Sequence, residues 1–472
     1  MIVKRLREFS HVSQRPGNSA FQGQTSFRSP AGSGMKVIND AIHGQFSLDG
    51  VRGDLLATPE MNKLSHIKQL GLAHLVFPGA HHTRFEHSLG ASHIAGMMAE
   101  SLDLDEHETE TVQAAAMLHD VGHGPYSHTL EHILHERGGM DHMSITEGII
   151  LGDYDVLREG EQSSVPERQT VPDILERHGL EPKEVADLIR GPGAGGTERS
   201  LTAWTEGSED FVDEDLTLAH LVHGPVDCDQ LDYLLRDSHF TGVNHGNVDH
   251  RRLISSLQRH AGDIAVEEGG LASLEGMLMA RALMYSGVYF HRVNRITEVM
   301  LSRAVERSSE NMPGVMDLQR RVDAEIWEVL AAAGDYAQDI IRRLKYRNLL
   351  KVSWGLRVDE LDEEQKTLLQ EIGTNSESRT QLEDDLAHRA GLEPGYVAID
   401  VPQAKVLLGE DRMEMVDVKI VGDDGRTRRL QDHTPIADAL KKRQVSQTAV
   451  YVITLPGHQS DVAQLAERHL FS

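Results

Sequence analysis

Most of the region between residues 55 and 345 has the apolar spacing of helices. Apolar positions recur at intervals of three and four residues, and glycine and proline cluster between the periodic stretches. The stretch TRFE places Thr83 and Glu86 at the spacing of a capping box, which predicts a helix that begins near Thr83 and continues through HSLGASHIAGMMAESL. The stretch ETVQAAAMLHD is small and apolar on several faces, which predicts a buried helix ending near residues 121–122.

The pattern changes near residue 395. The runs GYVAIDV, MEMVDVKIV and TAVYVITL are strand-like, DDGRTRR indicates a turn, and TPIADALKK indicates a helix with Pro435 near its first position. We therefore predict a mainly α protein in which a helical core, 35–345, is followed by a helical linker region, 346–394, and a small C-terminal α+β domain, 395–472. Within the core, 155–215 reads as an irregular insert around a helix near 182–190.

Composition narrows the class of protein. The 472 residues are 39% hydrophobic and 26% charged, which is typical of a globular protein, and no run approaches the ~18 apolar residues of a membrane-spanning helix. The single cysteine, Cys228, excludes an intrachain disulfide framework and favours a cytoplasmic protein. A metal site must then use histidine and carboxylate ligands. The net charge of −27 argues against nucleic-acid binding, because such a surface repels phosphates.

Residues 1–34 depart from this acidic composition. They combine serine, glycine and glutamine with one acid, Glu8, and with the basic residues Lys4, Arg5, Arg7, Arg15 and Arg28. We predict a flexible basic extension, with a transit peptide as the alternative.

Two short stretches concentrate residues that can bind a metal ion, HHTRFEHSLG at 81–90 and MLHDVGHGPYSH at 117–128. The pair His119-Asp120 ends an apolar helix, where a buried carboxylate costs several kcal/mol unless a cation pairs with it. His87 and Asp229 add ligand-type residues from separate segments, which is what a buried divalent ion needs. A single histidine more often has a structural role, so the prediction of a metal site rests on the four residues taken together.

Two further stretches place polar and aromatic residues four apart. VDCDQLDYLLRD gives Asp229, Tyr233 and Asp237 on one predicted helical face. RALMYSGVYFHR repeats the spacing with one cation and two aromatic rings, Arg281, Tyr285 and Tyr289. Such a stripe suits a phosphate and a planar base, although the tyrosines alone are more typical of core packing.

These motifs also carry a resemblance. The order His87, His119-Asp120, Asp229, together with NDAIHG, IKQLG, VFPGAHHTRFEHSLG, HDVGHGPYSH and DQLDYLLRD, resembles the HD-domain deoxynucleoside triphosphate (dNTP) triphosphohydrolases. The resemblance extends from about residue 36 to about residue 297 and more faintly to the C-terminus. It implies an α-helical HD-domain core and a metal-dependent phosphohydrolase, dGTPase-like in its chemistry.

The resemblance also implies a role for each matching residue. It implies one divalent ion (Mn, Fe, Mg, Co, Ni or Zn) with the ligands His87, His119, Asp120 and Asp229. It implies a catalytic group consisting of the proton donor His142, its orienting partner Glu131, and His123 and His128 near the α-phosphate. The implied substrate contacts are Arg84 and Arg281 for phosphates, Gln69 and Asp237 for the sugar 3′-hydroxyl, Leu70 and Tyr233 against C2′, and Tyr285 and Tyr289 near the base.

We therefore expect metal-dependent hydrolysis of dNTPs to deoxynucleoside and inorganic triphosphate by a cytoplasmic homo-oligomer, a dimer or tetramer. One alternative is an HD-type phosphohydrolase or phosphodiesterase with another nucleotide substrate, and another is a non-catalytic nucleotide sensor. Arg281 and Tyr233 argue against the first alternative, because a monophosphate or cyclic substrate needs neither a distal-phosphate cation nor a sugar filter. The presence of His142 and all four ligands argues against the second.

One segment departs from the family pattern. In the vertebrate members an aspartate and an arginine eight residues apart read the guanine of an activating nucleotide, and the matching segment ATPEMNKLS places Ala57 and Ser65 there. Lys36, Val37 and Asn39 still match residues that contact activating nucleotides. We expect no activation by GTP, and either constitutive assembly or activation by a dNTP.

Overall fold

The computed structural model describes residues 35–165, 168–191, 216–308, 312–401, 418–442 and 448–471. The predicted basic extension, 1–34, and residues 192–215 of the predicted insert lie outside the described residues. Among the described residues the fold is mainly α, as predicted. None of the described helices is both long and apolar enough to cross a membrane.

The chain begins with a hairpin of two antiparallel strands, β1 (Lys36–Asp40) and β2 (Gly44–Leu48). Core helices follow: α1 (Gly50–Leu55), α2 (Pro59–Leu64), α3 (Arg84–Ser101), α4 (Glu106–Leu118), α5 (Ser127–Gly138), α6 (His142–Leu151), α7 (Val171–Arg177), α8 (Pro182–Arg190), α9 (Thr217–Val222), α10 (Cys228–Thr241), α11 (His250–Ile254) and α12 (Leu271–Met284). Helices α3, α4 and α10 pack together around buried apolar residues such as Met98, Ala115 and Leu231. This packing brings the predicted ligand segments to one place.

The start of α3 agrees with the sequence prediction. Thr83 caps the helix, and its backbone N–H donates to Glu86 Oε2 at 2.6 Å. Helix α8 likewise occupies the predicted residues 182–190.

Helix α4 ends at Leu118 rather than near residues 121–122, so the predicted end was wrong. The chain turns there into a tight loop that packs closely against its neighbours. A Cβ atom at Gly122 would overlap the backbone oxygen of His142, and one at Gly124 would overlap the side chain of Gln319. Consequently His119 and His123 do not share a helical face, and the loop rather than the helix sets their positions.

Helix α12 continues into a π-helical turn at Tyr285–Tyr289, in which the N–H of Phe290 donates to the carbonyl of Tyr285 at 2.8 Å. The predicted α-helical stripe of Arg281, Tyr285 and Tyr289 is therefore interrupted. The two tyrosine rings instead meet edge to face, with centroids 5.0 Å apart. Single π-helical turns of this kind are frequent at functional sites.

The rest of the described chain adds further helices and two more sheets. The helices are α13 (Arg292–Arg307), α14 (Val315–Gln319), α15 (Asp323–Ala332), α16 (Asp335–Lys345), α17 (Glu363–Thr374), α18 (Ser376–Arg389), α19 (Leu430–His433), α20 (Pro435–Lys442) and α21 (Gln459–His469). The strands are β3 (Leu257–His260), β4 (Asp263–Glu267), β5 (Lys351–Arg357), β6 (Val397–Asp400), β7 (Lys419–Val421), β8 (Thr427–Arg429) and β9 (Thr448–Thr454).

Strand pairing crosses the predicted domain boundaries. Strand β9 lies between β5 and β6, so a strand from the predicted linker region pairs with the C-terminal segment. Strand β7 pairs in parallel with β4 in a sheet of order β3-β4-β7-β8, which joins residues 418–429 to the helical core. The domain bounds remain predictions, but the C-terminal strands belong to two different sheets.

Candidate metal and catalytic site

Three of the four predicted metal ligands, His87, His119 and Asp229, meet between α3, α4 and α10, and Asp120 lies beside them. His87 Nε2 lies 2.9 Å from Asp229 Oδ1 and 4.0 Å from Asp120 Oδ2. His119 Nε2 lies 3.4 Å from Asp120 Oδ1 and 3.8 Å from Asp229 Oδ1. One ligand atom from each of His87, His119 and Asp229 fits within 4.8 Å of the others. The structure thus brings together residues that are 142 positions apart in the sequence, from 87 to 229.

The two histidines have the orientation that metal binding requires. His87 Nδ1 lies 2.8 Å from Asp232 Oδ2, and His119 Nδ1 lies 2.8 Å from the carbonyl oxygen of Ala116. His119 Nε2 is buried without a hydrogen-bond partner, and His87 Nε2 is buried with the carboxylate of Asp229 beside it. A buried polar atom without a partner costs about 1–3 kcal/mol. The shared space between these two nitrogens and two carboxylates therefore fits one divalent cation.

Electrostatics at the site favour the same interpretation. Burial lowers the pKa of His87, but hydrogen bonds and charges from Asp229 and Asp232 outweigh burial and raise the pKa to about 10. Burial raises the pKa of Asp120, but Arg84, His119 and His123 outweigh it and hold that pKa well below its usual range. A proton and a metal ion compete for His87 Nε2. The surrounding carboxylates stabilise positive charge at this atom, whether a proton or a metal ion supplies it.

A second group of predicted residues lies beside the ligands. His142 Nδ1 is hydrogen-bonded to Glu131, and the His142 ring stacks on His123 with centroids 4.1 Å apart. Arg84 donates to Asp120 Oδ2 at 2.7 Å, and its second guanidinium nitrogen lies 3.1 Å from His128 Nε2. Burial and the positive charge of Arg84 lower the pKa of His123 well below its usual range, so His123 is neutral.

The predicted sugar contacts form a third group. Asp237 accepts hydrogen bonds from Tyr289, at 2.7 Å, and His82, at 2.8 Å. The backbone N–H of Gln69 donates to the carbonyl of His82, and the Gln69 side-chain oxygen is buried without a partner. The neighbouring residue Leu70 is half-buried against the core. His82 could not be singled out from the sequence, because HHTRF offers two adjacent histidines and only the fold shows that His82 is the buried one.

Arg281 and the remaining tyrosines lie along α10 and α12. Arg281 donates to Gln230 Oε1 at 2.5 Å, and its guanidinium carbon lies 5.8 Å from the centroid of the Tyr285 ring. The rings of Tyr233 and Tyr289 meet edge to face at 6.3 Å. Gln230, which no sequence motif indicated, holds the guanidinium in place and itself donates to Asp227 and to the carbonyl of Gly224.

Family models match two parts of the chain. Residues 84–192 match the HD domain, and residues 248–471 match the HD associated region. The first match contains His87, His119 and Asp120, three of the four converging ligands. The chain belongs to the HD-domain phosphohydrolases.

Relatives among HD-domain proteins include both uncharacterized proteins and an enzyme. An uncharacterized protein of Methanocaldococcus jannaschii is 29% identical over 92% of this chain and 82% of its own length. An uncharacterized Bacillus subtilis protein, YwfO, is 34% identical over 58% of this chain and 56% of its own length. Human deoxynucleoside triphosphate triphosphohydrolase SAMHD1 is 28% identical over 67% of this chain. The match spans 54% of the human enzyme, about half of its length.

Solved structures agree with the HD-domain fold. A phosphohydrolase of Bacteroides thetaiotaomicron superposes with a TM-score of 0.63 at 23% identity, over 89% of this chain and 100% of that one. A hypothetical protein of Aquifex aeolicus superposes with a TM-score of 0.60 at 25% identity, over 92% of this chain and 100% of that one.

Proposed function

We propose that this HD-domain phosphohydrolase converts dNTPs to deoxynucleoside and inorganic triphosphate, using one divalent ion held by His87, His119, Asp120 and Asp229. The observation that carries the proposal is the convergence of two buried imidazole nitrogens on two carboxylates, beside a histidine paired with a glutamate. A bound divalent ion supplies Lewis acidity toward a phosphate oxygen and toward water.

The proposed reaction adds one water molecule across the bond between the 5′-oxygen and the α-phosphorus. The phosphorus gains the water oxygen, the 5′-oxygen leaves with a proton, and triphosphate remains. His142 suits the role of proton donor because Glu131 holds its Nδ1 and can stabilise the protonated ring. Burial raises the pKa of Glu131, but His142 outweighs burial and lowers it, so the carboxylate stays ionised. Neutral, buried His123 is a poorer donor of the same proton.

Positive charge for the triphosphate would come from Arg84 and Arg281. Arg84 is buried and already lies against Asp120 and His128, which places its guanidinium beside the ligands. Arg281 is oriented by Gln230 on the Tyr233 side of α10. Preorganised cations of this kind stabilise the charge that develops on the transferred phosphate.

Selection of a deoxyribose is the second part of the proposal. Asp237 is fixed by Tyr289 and His82, and the buried oxygen of Gln69 remains open to a donor such as a sugar hydroxyl. Tyr233 and Leu70 are the side chains expected against C2′, where an added hydroxyl would overlap them.

The test is incubation of the metal-loaded protein with each dNTP and each ribonucleoside triphosphate (rNTP), followed by ion-exchange chromatography of the products. We expect triphosphate and deoxynucleoside from dNTPs and little turnover of rNTPs. Asp229→Ala should lose both bound metal and activity while its circular dichroism spectrum remains helical.

Two outcomes would contradict the proposal in different ways. Release of phosphate or pyrophosphate, or equal cleavage of GTP and dGTP, would point to another nucleotide phosphohydrolase. Full metal content and full turnover in the Asp229→Ala variant would remove the ligand assignment.

A further inference from the structure

Asp232 is the most completely bonded carboxylate near the site. Its side chain is fully buried and lies one helical turn after Asp229 on α10. Oδ2 lies 2.8 Å from His87 Nδ1 and accepts from Arg236 Nε at 2.8 Å. Oδ1 lies 2.6 Å from His43 Nε2 and accepts from Arg236 Nη2 at 2.9 Å.

This arrangement determines which nitrogen of His87 carries a hydrogen. Arg236 donates one N–H group to each carboxylate oxygen of Asp232. The ionised carboxylate has no hydrogen of its own, so its remaining lone pairs can only accept hydrogen bonds. His87 therefore donates from Nδ1, and Nε2 is the ring nitrogen that faces the site and is left to bind a metal ion. A carboxylate in this position behind a metal-binding histidine fixes both the tautomer and the ring orientation.

The outer end of the chain of hydrogen bonds lies in the N-terminal hairpin. His43 follows β1 in the hairpin turn, and its ring is buried. Asp40, the last residue of β1, holds the backbone N–H groups of Ile42 and His43 at 2.8 Å and accepts from Arg236 at 2.8 Å. The turn therefore contacts both members of the Asp232–Arg236 pair.

Close packing of two helices makes the arrangement possible. A Cβ atom at Gly90 of α3 would overlap Asp232 Oδ1 and Arg236 Nη2. The absence of a side chain at this position lets α10 approach the helix that carries His87. Asp232 thus reaches the back of the imidazole directly.

We propose that the hairpin of residues 36–48 is part of the metal centre, with His43 and Asp232 as positioning residues that orient His87 toward the metal ion. The inference rests on the metal centre of the proposed function. It extends the metal centre beyond the four ligands to His43, which lies 44 residues before His87, the first ligand in the sequence.

The test is metal affinity, measured independently of turnover. Apo protein is titrated with Co²⁺ against a competing chelator, and the visible absorption bands of bound Co²⁺ report the ligand geometry. Asp232→Asn should weaken binding by about 10- to 100-fold and alter those bands. His43→Ala should weaken binding by about tenfold or less, because it acts through Asp232, and His43→Gln should recover part of that loss by restoring a donor.

Glu383→Gln is the matched control. Glu383 is also a fully buried carboxylate paired with an arginine, Arg303, but it lies among the C-terminal helices. It should lower the melting temperature and leave Co²⁺ affinity and spectrum unchanged. If wild-type protein binds Co²⁺ and folded Asp232→Asn binds it within about twofold, the inference is overturned while the proposed function stands. If wild-type protein binds no divalent ion, the proposed function fails first.

Discussion

The imidazole ring of His123 lies flat against that of His142, with centroids 4.1 Å apart and planes inclined by 14°. Two protonated rings could not stack in this way without repulsion. Because burial and Arg84 lower the pKa of His123 well below its usual range, His123 is neutral, and the stack leaves His142 free to carry the proton. The stack therefore places a neutral ring directly against the ring that Glu131 holds.

Replacement of His142 tests this assignment. His142→Ala should lower kcat by about 10²- to 10⁴-fold, the usual contribution of a general acid, and should leave metal content unchanged. Glu131→Gln should give a smaller loss, because the donor remains but is oriented less well. Single-turnover kinetics with dGTP and metal analysis of the same samples measure both quantities. A loss of less than about threefold in His142→Ala would remove this histidine from the mechanism.

The close contact between α3 and α10 at Gly90, behind His87, should be sensitive to an added side chain. Gly90→Ala should destabilise the protein by about 1–3 kcal/mol, because the new methyl group overlaps Asp232 and Arg236. Gly276→Ala in α12 is the matched control, since nothing lies within 4 Å of a Cβ there. That exposed position should be neutral or stabilised by up to about 1 kcal/mol. Urea denaturation of both variants compares them, and equal midpoints would contradict the overlap.

We expect the Tyr233 ring to select deoxyribose over ribose by steric exclusion. Relief of a steric overlap of about 1–3 kcal/mol should raise rNTP turnover relative to dNTP turnover by about 10- to 100-fold in Tyr233→Ala. The ratio of kcat/KM for GTP and dGTP is the measurement. Tyr396→Ala, a half-buried tyrosine beside β6, should leave the ratio unchanged. An unchanged ratio in Tyr233→Ala would exclude the ring as the filter.

The exposed residues Ala57 and Ser65 lead us to expect that GTP does not activate the protein. Ser65 donates its hydroxyl to the carbonyl of Asn62 at 2.7 Å, and neither residue offers the carboxylate and guanidinium expected of a guanine-reading pair. Loss of paired polar contacts costs about 10⁴- to 10⁵-fold in discrimination. We expect dATP hydrolysis and the mass from light scattering to be the same with and without GTP. A large GTP-dependent rise in both would refute this expectation.

Glu306 should make the free energy of unfolding depend on pH in the acid range. Burial raises the pKa of its carboxyl, but Arg303, His132 and Arg379 outweigh burial and lower it well below its usual range. A carboxylate with a lowered pKa contributes stability that is fully present above about pH 4.3, the unfolded value, and is lost progressively as the pH falls through the lowered folded pKa. Glu306→Gln should therefore cost roughly 3–5 kcal/mol at pH 7 and less at pH 3. Urea midpoints at the two pH values measure the difference, and parallel losses would contradict it.

The sequence predicted features that depend on local pattern or on spaced motifs. The capping box at Thr83 and Glu86 fixed the start of α3, and the histidine and aspartate motifs identified residues that the fold brings together. The end of α4 was predicted too far along the chain and the π-helical turn was not predicted, because each depends on packing against distant segments. The bond between His43 and Asp232 joins residues 189 positions apart, so no local pattern could indicate it.

The parallel pairing of β4 with β7 has a consequence for biosynthesis. Ala265 lies opposite Lys419, so the edge of β4 that faces away from β3 has no strand partner until about nine-tenths of the chain has been synthesised. A nascent chain that already contains every predicted metal ligand still presents an open sheet edge, and open edges recruit other strands. Polypeptides released before residue 419 should therefore aggregate, even though their HD-domain helices are complete.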